Sequence, residues 1–304
     1  MALQIVEFFG FPPLSGEGKL FADKKLCPFI DQPCIKPRHG SCSVKQTAGA
    51  PIICCPNRMY AEKYRALRDI ARDAFGDGTA LVTPKDAIEL RASGKLKGNE
   101  AVLFGRYWGG ELPLPRPKQK DGAKASSNYY VDWIIAKIDN AGSLTEFTAV
   151  EVQTIDTTGN YSEQATAFFA GKEFAGAGGR GFSNAGMNWE NVNKRILPQI
   201  IYKGHVLGRE TKCSKGLFFV CPDQVLQKIK DRLGDNLLEY PVRNGTITFR
   251  SYDLGPPNDA GGGRQLLFRQ QFTTTVDQVA AAFVAPVNLP AQNVYENAIN
   301  VALK

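Results

Sequence analysis

YYVDWIIAKI (129–138) followed by LTEFTAVEVQTI (144–155) is the stretch that decides the fold. Both runs are rich in β-branched and aromatic residues, and DNAGS between them has the composition of a turn, so the pair reads as a β-hairpin. A turn at Ala141–Gly142 sets Asp132 opposite Glu151. Opposed residues of an antiparallel pair point to one face, and the period of two adds Gln153 to that face. Val131, Trp133, Val150 and Val152 then point the other way, into a core. Two acids stand where an alternating strand carries neutral residues, and like charges directly opposed cost stability. Either that face is wet, or a divalent cation offsets the repulsion. Two carboxylates, a backbone carbonyl and waters are the hard oxygen donors that suit Mg²⁺.

Working outward, AVLFGRYW (101–108) reads as a further strand, and LFFVCP (217–222) as a short buried one. Tyr60, Tyr64, Leu67 and Ile70 recur at helical spacing, with Asn57 as candidate N-cap and Gly76 as stop. Thr83-Pro84 is a second helix start. YSEQATAFFAG (161–171) and WENVNKRILPQIIYKGHVL (189–207) read as helices, the latter divided by Pro198. DQVLQKIKDRLG (223–234) reads as a helix with Asp223 as N-cap and Gly234 as stop. TITFRSYDL and RQLLFRQQF alternate as strands, and helical VDQVAAAFV follows. The order predicts a mixed α/β protein with a sheet core.

The chain has 304 residues, 43% hydrophobic and 22% charged, which excludes a disordered tail, a collagen-like rod and a small disulfide knot. Nothing approaches the roughly 18 consecutive apolar residues of a membrane span. The first residues lack a basic stretch and Glu7 interrupts their apolar run, so no secretory signal is predicted. The net charge of +7 suits a polyanionic partner.

Five of the seven cysteines crowd into C-x6-C-x7-C-x11-C-C, from Cys27 through Cys34 and Cys42 to Cys54-Cys55. Without a secretory signal this crowding favours a reducing cytosol and a metal over disulfides. Four thiolates suit zinc or iron. Adjacent Cys54 and Cys55 do not both reach one ion easily, so one is spare. The competing reading is a set of small buried hydrophobes. The segment is proline-rich and has little apolar periodicity, so a metal is expected to organise it. Cys213 and Cys221 read as structural, and His39 as a surface residue.

These residues resemble a known family, the NotI-type type II restriction endonucleases of the PD-(D/E)xK nuclease superfamily. D-x18-E-x-Q resembles the superfamily signature, with Gln153 where Lys usually stands. IVEFFGF (5–11), the run from Cys27-Pro28-Phe29 to Cys55-Pro56-Asn57-Arg58, GGEL (109–112), VDW (131–133) and AVEVQTIDTTGNY (149–161) look like family motifs in family order. So do NVNKRILPQIIYK (191–203) and KGLFFVCP (215–222).

The resemblance implies a PD-(D/E)xK core over 61–304 and a four-cysteine metal module over 1–60. Cys27, Cys34, Cys42 and Cys55 would hold one structural iron or zinc ion. Asp132, Glu151 and Gln153 become the catalytic motif, with Asp132 and Glu151 holding Mg²⁺ and Glu111 an additional acid beside it. The implied activity is Mg²⁺-dependent cleavage of double-stranded DNA at a GC-rich palindrome by a homodimer. The implied setting is a prokaryotic cytoplasm that also holds a cognate DNA methyltransferase. Candidate phosphate contacts are Lys36, Arg38, Lys45, the 115–124 loop and the Arg180 region. The glycine-rich loop 171–188 departs from the family pattern. Two other readings use the same residues: a non-catalytic, metal-stabilised DNA-binding regulator, and a structure-specific repair nuclease.

Overall fold

The computed structural model describes residues 3–36, 40–114, 129–158, 161–176, 179–181, 183–258, 260–285 and 289–303. The chain opens with β1 (Leu3–Phe8), α1 (Gly16–Lys24), β2 (Ser41–Gln46) and β3 (Ile52–Ile53). α2 (Ala61–Phe75), β4 (Ala80–Val82) and α3 (Pro84–Ala92) lead into the meander β5 (Glu100–Gly105), β6 (Trp133–Ile138) and β7 (Leu144–Val152). α4 (Ser162–Phe169) and α5 (Leu197–Gly208) cross over to β8 (Leu217–Pro222). Then come α6 (Asp223–Leu233), β9 (Thr246–Leu254), β10 (Leu266–Thr275), α7 (Val276–Val284) and α8 (Val294–Ala302).

Seven strands form one mixed sheet in the order β4-β5-β6-β7-β8-β9-β10. β5, β6 and β7 pair antiparallel, β7, β8 and β9 pair parallel, and the outer pairs β4–β5 and β9–β10 are parallel and antiparallel. The architecture is mixed α/β with helices against the sheet, as the alternating periods predict. β8 shows no polar alternation because it is interior and covered on both faces; all six of its residues are buried.

The hairpin register is the predicted one. Trp133 faces Val150 and Lys137 faces Glu146, with a bulge only beyond Lys137. The Asp139 carboxylate closes the turn by accepting from the N–H groups of Ala141 and Ser143, while Gly142 takes φ +78°. Trp133 is 1% exposed and donates its indole N–H to the Tyr60 hydroxyl. Gly105, on the neighbouring strand, makes room for it: a Cβ there would lie 2.2 Å from the ring. The strand that follows Asp132 is thus anchored immediately beside it.

Two apolar layers sandwich the sheet. On one face Tyr60, Leu67 and Ile70 of the α2 region pack on Leu103, Trp133, Val150 and Phe218. On the other, Ile200 of α5, Leu226 and Ile229 of α6 and Val279 of α7 pack on Phe219 and Phe249. Each such side chain contributes on the order of 1.5–3 kcal/mol when fully buried. Val131 corrects the sequence reading. It precedes the ladder and packs in the second layer, not with Trp133.

Most boundaries follow the expected chemistry. Thr83 and Asp86 form a capping box at α3, and Gly76 and Gly234 end α2 and α6 at φ +96° and +80°. Asn57 is not an N-cap; it lies buried in a 3-10 turn, Pro56–Tyr60, with its amide on the Cys27 sulfur at 3.9 Å. Asp223 is the first residue of α6 rather than its cap, because its carboxylate is taken by Ser251 and Gln270. Pro198 sits in the first turn of α5, after a π-helical turn.

β1, β2 and β3, not anticipated, form a small sheet whose Leu3, Ile5, Val44 and Ile52 pack in the same layer as Leu217 and Phe219. Glu7 and Arg58, 0% and 1% exposed by side chain, pair at 2.9 Å, and Ser43 donates to the same carboxylate. Among the described residues no helix is long and apolar enough to cross a membrane.

Candidate active site and cysteine cluster

The acidic face is not wet. α5 lies over it, and Glu151 is 7% exposed. Glu151 Oε1 accepts from Lys203 Nζ at 2.6 Å, while Oε2 is buried without a hydrogen-bond partner. A lone buried carboxylate oxygen costs about 1–3 kcal/mol or more for a charged group. Asp132 immediately precedes β6, half-buried, and its Oδ2 accepts the N–H of Val152 at 2.7 Å, which ties it to the end of β7. Burial, followed by the charge of Asp132, pushes Glu151 up to about 7 against the pull of Lys203. Burial also raises Asp132; the Val152 N–H and Lys203 oppose this, and the charge of Glu111 adds to it.

The structure therefore brings Asp132, Glu151 and Glu111 into one electrostatic neighbourhood. Glu111 itself is exposed, on the segment that follows β5. Gln153 lies just past the ladder, half-buried, and its amide donates to the Thr154 carbonyl at 3.2 Å. The residue that sequence reasoning missed is Lys203. Its buried ammonium is the only cation in contact with these acids among the described residues. A signal existed: in the apolar helix LPQIIYKGHVLG, Lys203 follows Ile200 by three and precedes Leu207 by four, on the buried stripe.

The cysteines converge as well. Cys42 lies within hydrogen-bonding reach of Cys55, and the Cys55 thiol is lowered, by that bond first and then by Lys36 and the N–H groups of Asn57 and Arg58 against burial. Cys27 and Cys34 interact electrostatically with Cys55, and burial pushes both thiols up, Cys27 to about 11. Cys54 turns away: it packs in the apolar layer of α5, and its sulfur faces the Ser41 carbonyl at 3.8 Å.

Among the described residues, no three His, Cys, Asp or Glu side chains stand close enough to hold an ion as placed. The donor chemistry nevertheless fits a metal. Cys27, Cys34 and Cys55 each face the backbone N–H two residues on, from Phe29, Lys36 and Asn57. A neutral thiol is a weak acceptor, so three sulfurs presented to N–H donors is an arrangement suited to thiolates.

Lys36 is corrected. Its ammonium turns inward to the Cys54 carbonyl at 2.8 Å, so it is not presented to phosphate. Burial acts to lower its pKa, but the sulfurs of Cys54, Cys55 and Cys42 outweigh that and raise it. Lys45 is half-buried. Arg38, His39, the 115–124 loop and the Arg180 side chain lie outside the described residues, as does part of loop 171–188. Compared with known proteins, the chain matches no family model and no curated protein.

Proposed function

We propose that this protein is a Mg²⁺-dependent deoxyribonuclease with a PD-(D/E)xK-type core, acting on double-stranded DNA at a specific site. The observation that carries the reading is the buried oxygen of Glu151 left without a partner beside Asp132. It is supported by the topology. The meander β5-β6-β7, a helical crossover and parallel β8 is the element order that the sequence motifs imply, with Asp132 just before β6 and Glu151 near the end of β7.

Asp132 and Glu151 would hold the ion, with Glu111 near them. The ion supplies Lewis-acid polarisation of a phosphate and a bound water of lowered pKa. Glu151 has one oxygen free for that task because Lys203 occupies the other. Gln153, an amide, neither takes a proton at neutral pH nor carries charge, so its part is to hydrogen-bond and orient. Lys203 is a positioning residue that supplies, from α5, the positive charge that Gln153 lacks. The cysteine cluster would bind one zinc or iron ion through Cys27, Cys34, Cys42 and Cys55, with Cys54 spare. A homodimer matches a palindromic site and two antiparallel strands to be cut. The resemblance further points to a type II restriction enzyme with a cognate methyltransferase in a prokaryotic host.

The deciding experiment digests unmethylated genomic-scale DNA with Mg²⁺ or EDTA and sequences the ends. Discrete ends sharing one motif, absent in EDTA and for Glu151→Ala, are expected. Intact DNA with every divalent ion, from protein that binds DNA, would turn the reading to a non-catalytic regulator; ragged or structure-dependent ends would turn it to a repair nuclease.

A further inference from the structure

Beyond the edge of α5 the same sheet face is uncovered. β5, β6 and β7 floor a groove of about 650 Å³, walled by α3, Leu112 and the last turn of α5. Its lining includes Ile88, Phe104, Ile134, Leu144 and Phe147, and Arg91 and Glu210 are its only ionisable side chains among the described residues. Ile88 is 68% exposed. A contiguous apolar surface of this kind marks an interaction site, since each Å² left in water forgoes about 25 cal/mol. The segment after the Leu112 wall, PRPKQKDGAKASSN (115–128), has no large apolar residue with which to cover it.

The chain carries a matching surface elsewhere. α8 sets Val294, Tyr295, Ala298, Ile299 and Val301 on one side and Glu296, Asn297 and Asn300 on the other. None of its residues is buried; Tyr295 is 85% exposed and Ile299 54%. The helix before it leads away from the groove. Val276, at the start of α7, would meet a Cβ on Gly204 of α5, whereas Phe283 near its end accepts from Arg232 of α6. The linker 285–293 spans roughly 30 Å fully extended. Recrossing α6 and α5, each about 10 Å wide, would use about 20 Å of that reach and leave little slack for α8 to seat in its own groove.

We propose that the groove receives α8 of a second copy of this chain, and that the exchange is reciprocal, giving a two-fold dimer. Arg91 at the rim complements Glu296, which flanks the apolar stripe. The partner helix lies against Val131 and Leu112, sequence neighbours of Asp132 and Glu111, and so walls the acidic centre. The dimer does not depend on the nuclease reading.

Sedimentation velocity at micromolar concentration tests it on the full chain, on Ile88→Glu, on Ile299→Glu and on a chain ending at residue 288. Both isoleucines are exposed, so circular dichroism spectra of the variants should match the parent's. The full chain is expected as a dimer, with each change raising the dissociation constant roughly tenfold or more, equivalent to ~1.4 kcal/mol. An equal mixture of Ile88→Glu and Ile299→Glu, which retains one intact helix-groove contact, should associate more than either alone. A monomeric full chain, including one whose α8 sits in its own groove, overturns the proposal. So does a dimer that survives both substitutions, or a mixture no more associated than its parts.

Discussion

The acidic pair and the cysteine cluster pose one problem, side chains that would repel one another once ionised, and the protein meets it with two kinds of scaffold. Glu151 sits on β7, and Asp132 immediately precedes β6, tied to β7 by the Val152 N–H and followed by Trp133, the first residue of the ladder. Cys42 lies near the start of the central strand of the small sheet, whereas Cys27, Cys34 and Cys55 come from a two-residue strand and loops, held to the large sheet by Glu7–Arg58 and by a few apolar side chains. A ladder holds the side chains at its end whether or not an ion is present. Loops need the ion, or a buried ion pair, to stay where they are. The first region should therefore lose chemistry when its ligands are changed, and the second should lose structure.

The largest expected effect breaks the cysteine side. Cys42→Ala should give insoluble or unfolded protein, because metal binding that draws in the loops carrying Cys27, Cys34 and Cys55 is folding free energy of order ~10 kcal/mol. Cys54→Ala should leave a folded, metal-loaded protein, and Glu151→Gln a folded one with its cysteine metal intact. Metal analysis beside circular dichroism reads all three, and an unfolded Glu151→Gln would erase the contrast.

Next in size is the tie between the regions. Glu7→Gln leaves the Arg58 guanidinium buried without its counter-charge, so denaturant unfolding should show a loss of about 3–5 kcal/mol. A loss under ~1 kcal/mol would mean that the cysteine region holds itself.

The smallest effect is a pH drift in stability. Glu151 is raised from 4.5 to about 7 on folding, so between those values the folded state binds more protons than the unfolded. In EDTA, stability should fall as pH rises through that window and level off above it. Mg²⁺ should cancel the fall by binding the ionised form. Lys203→Met should steepen it, because Lys203 opposes the shift, and Glu151→Gln should abolish it. A flat profile for the parent chain would show that Lys203 already neutralises the pair.

Local chemistry was legible in the sequence. Period-two runs, a turn of DNAGS and the glycine stops place the hairpin and α2, and hairpin arithmetic gives the Trp133–Val150 register, one residue inside the Asp132–Glu151 pair. Asn57 misled because capping chemistry competes with a distant partner, here the Cys27 sulfur, that no local pattern reveals. Val131 misled because alternation holds only inside a ladder, and the ladder begins at Trp133.

What the sequence by itself determined is most strands of the central sheet and the helices against it, the register of the central hairpin and the chemical types of the two candidate side-chain groups. These depend on spacings of a few residues, within which backbone geometry is nearly rigid. Tertiary structure alone decided that Lys203 meets Glu151, that Glu7 meets Arg58, that Lys36 turns inward, and that a groove stays open beside the acids. Each of these joins residues through the packing of whole helices on a sheet. That packing is set by many small burial energies summed over the chain, and no short spacing encodes it.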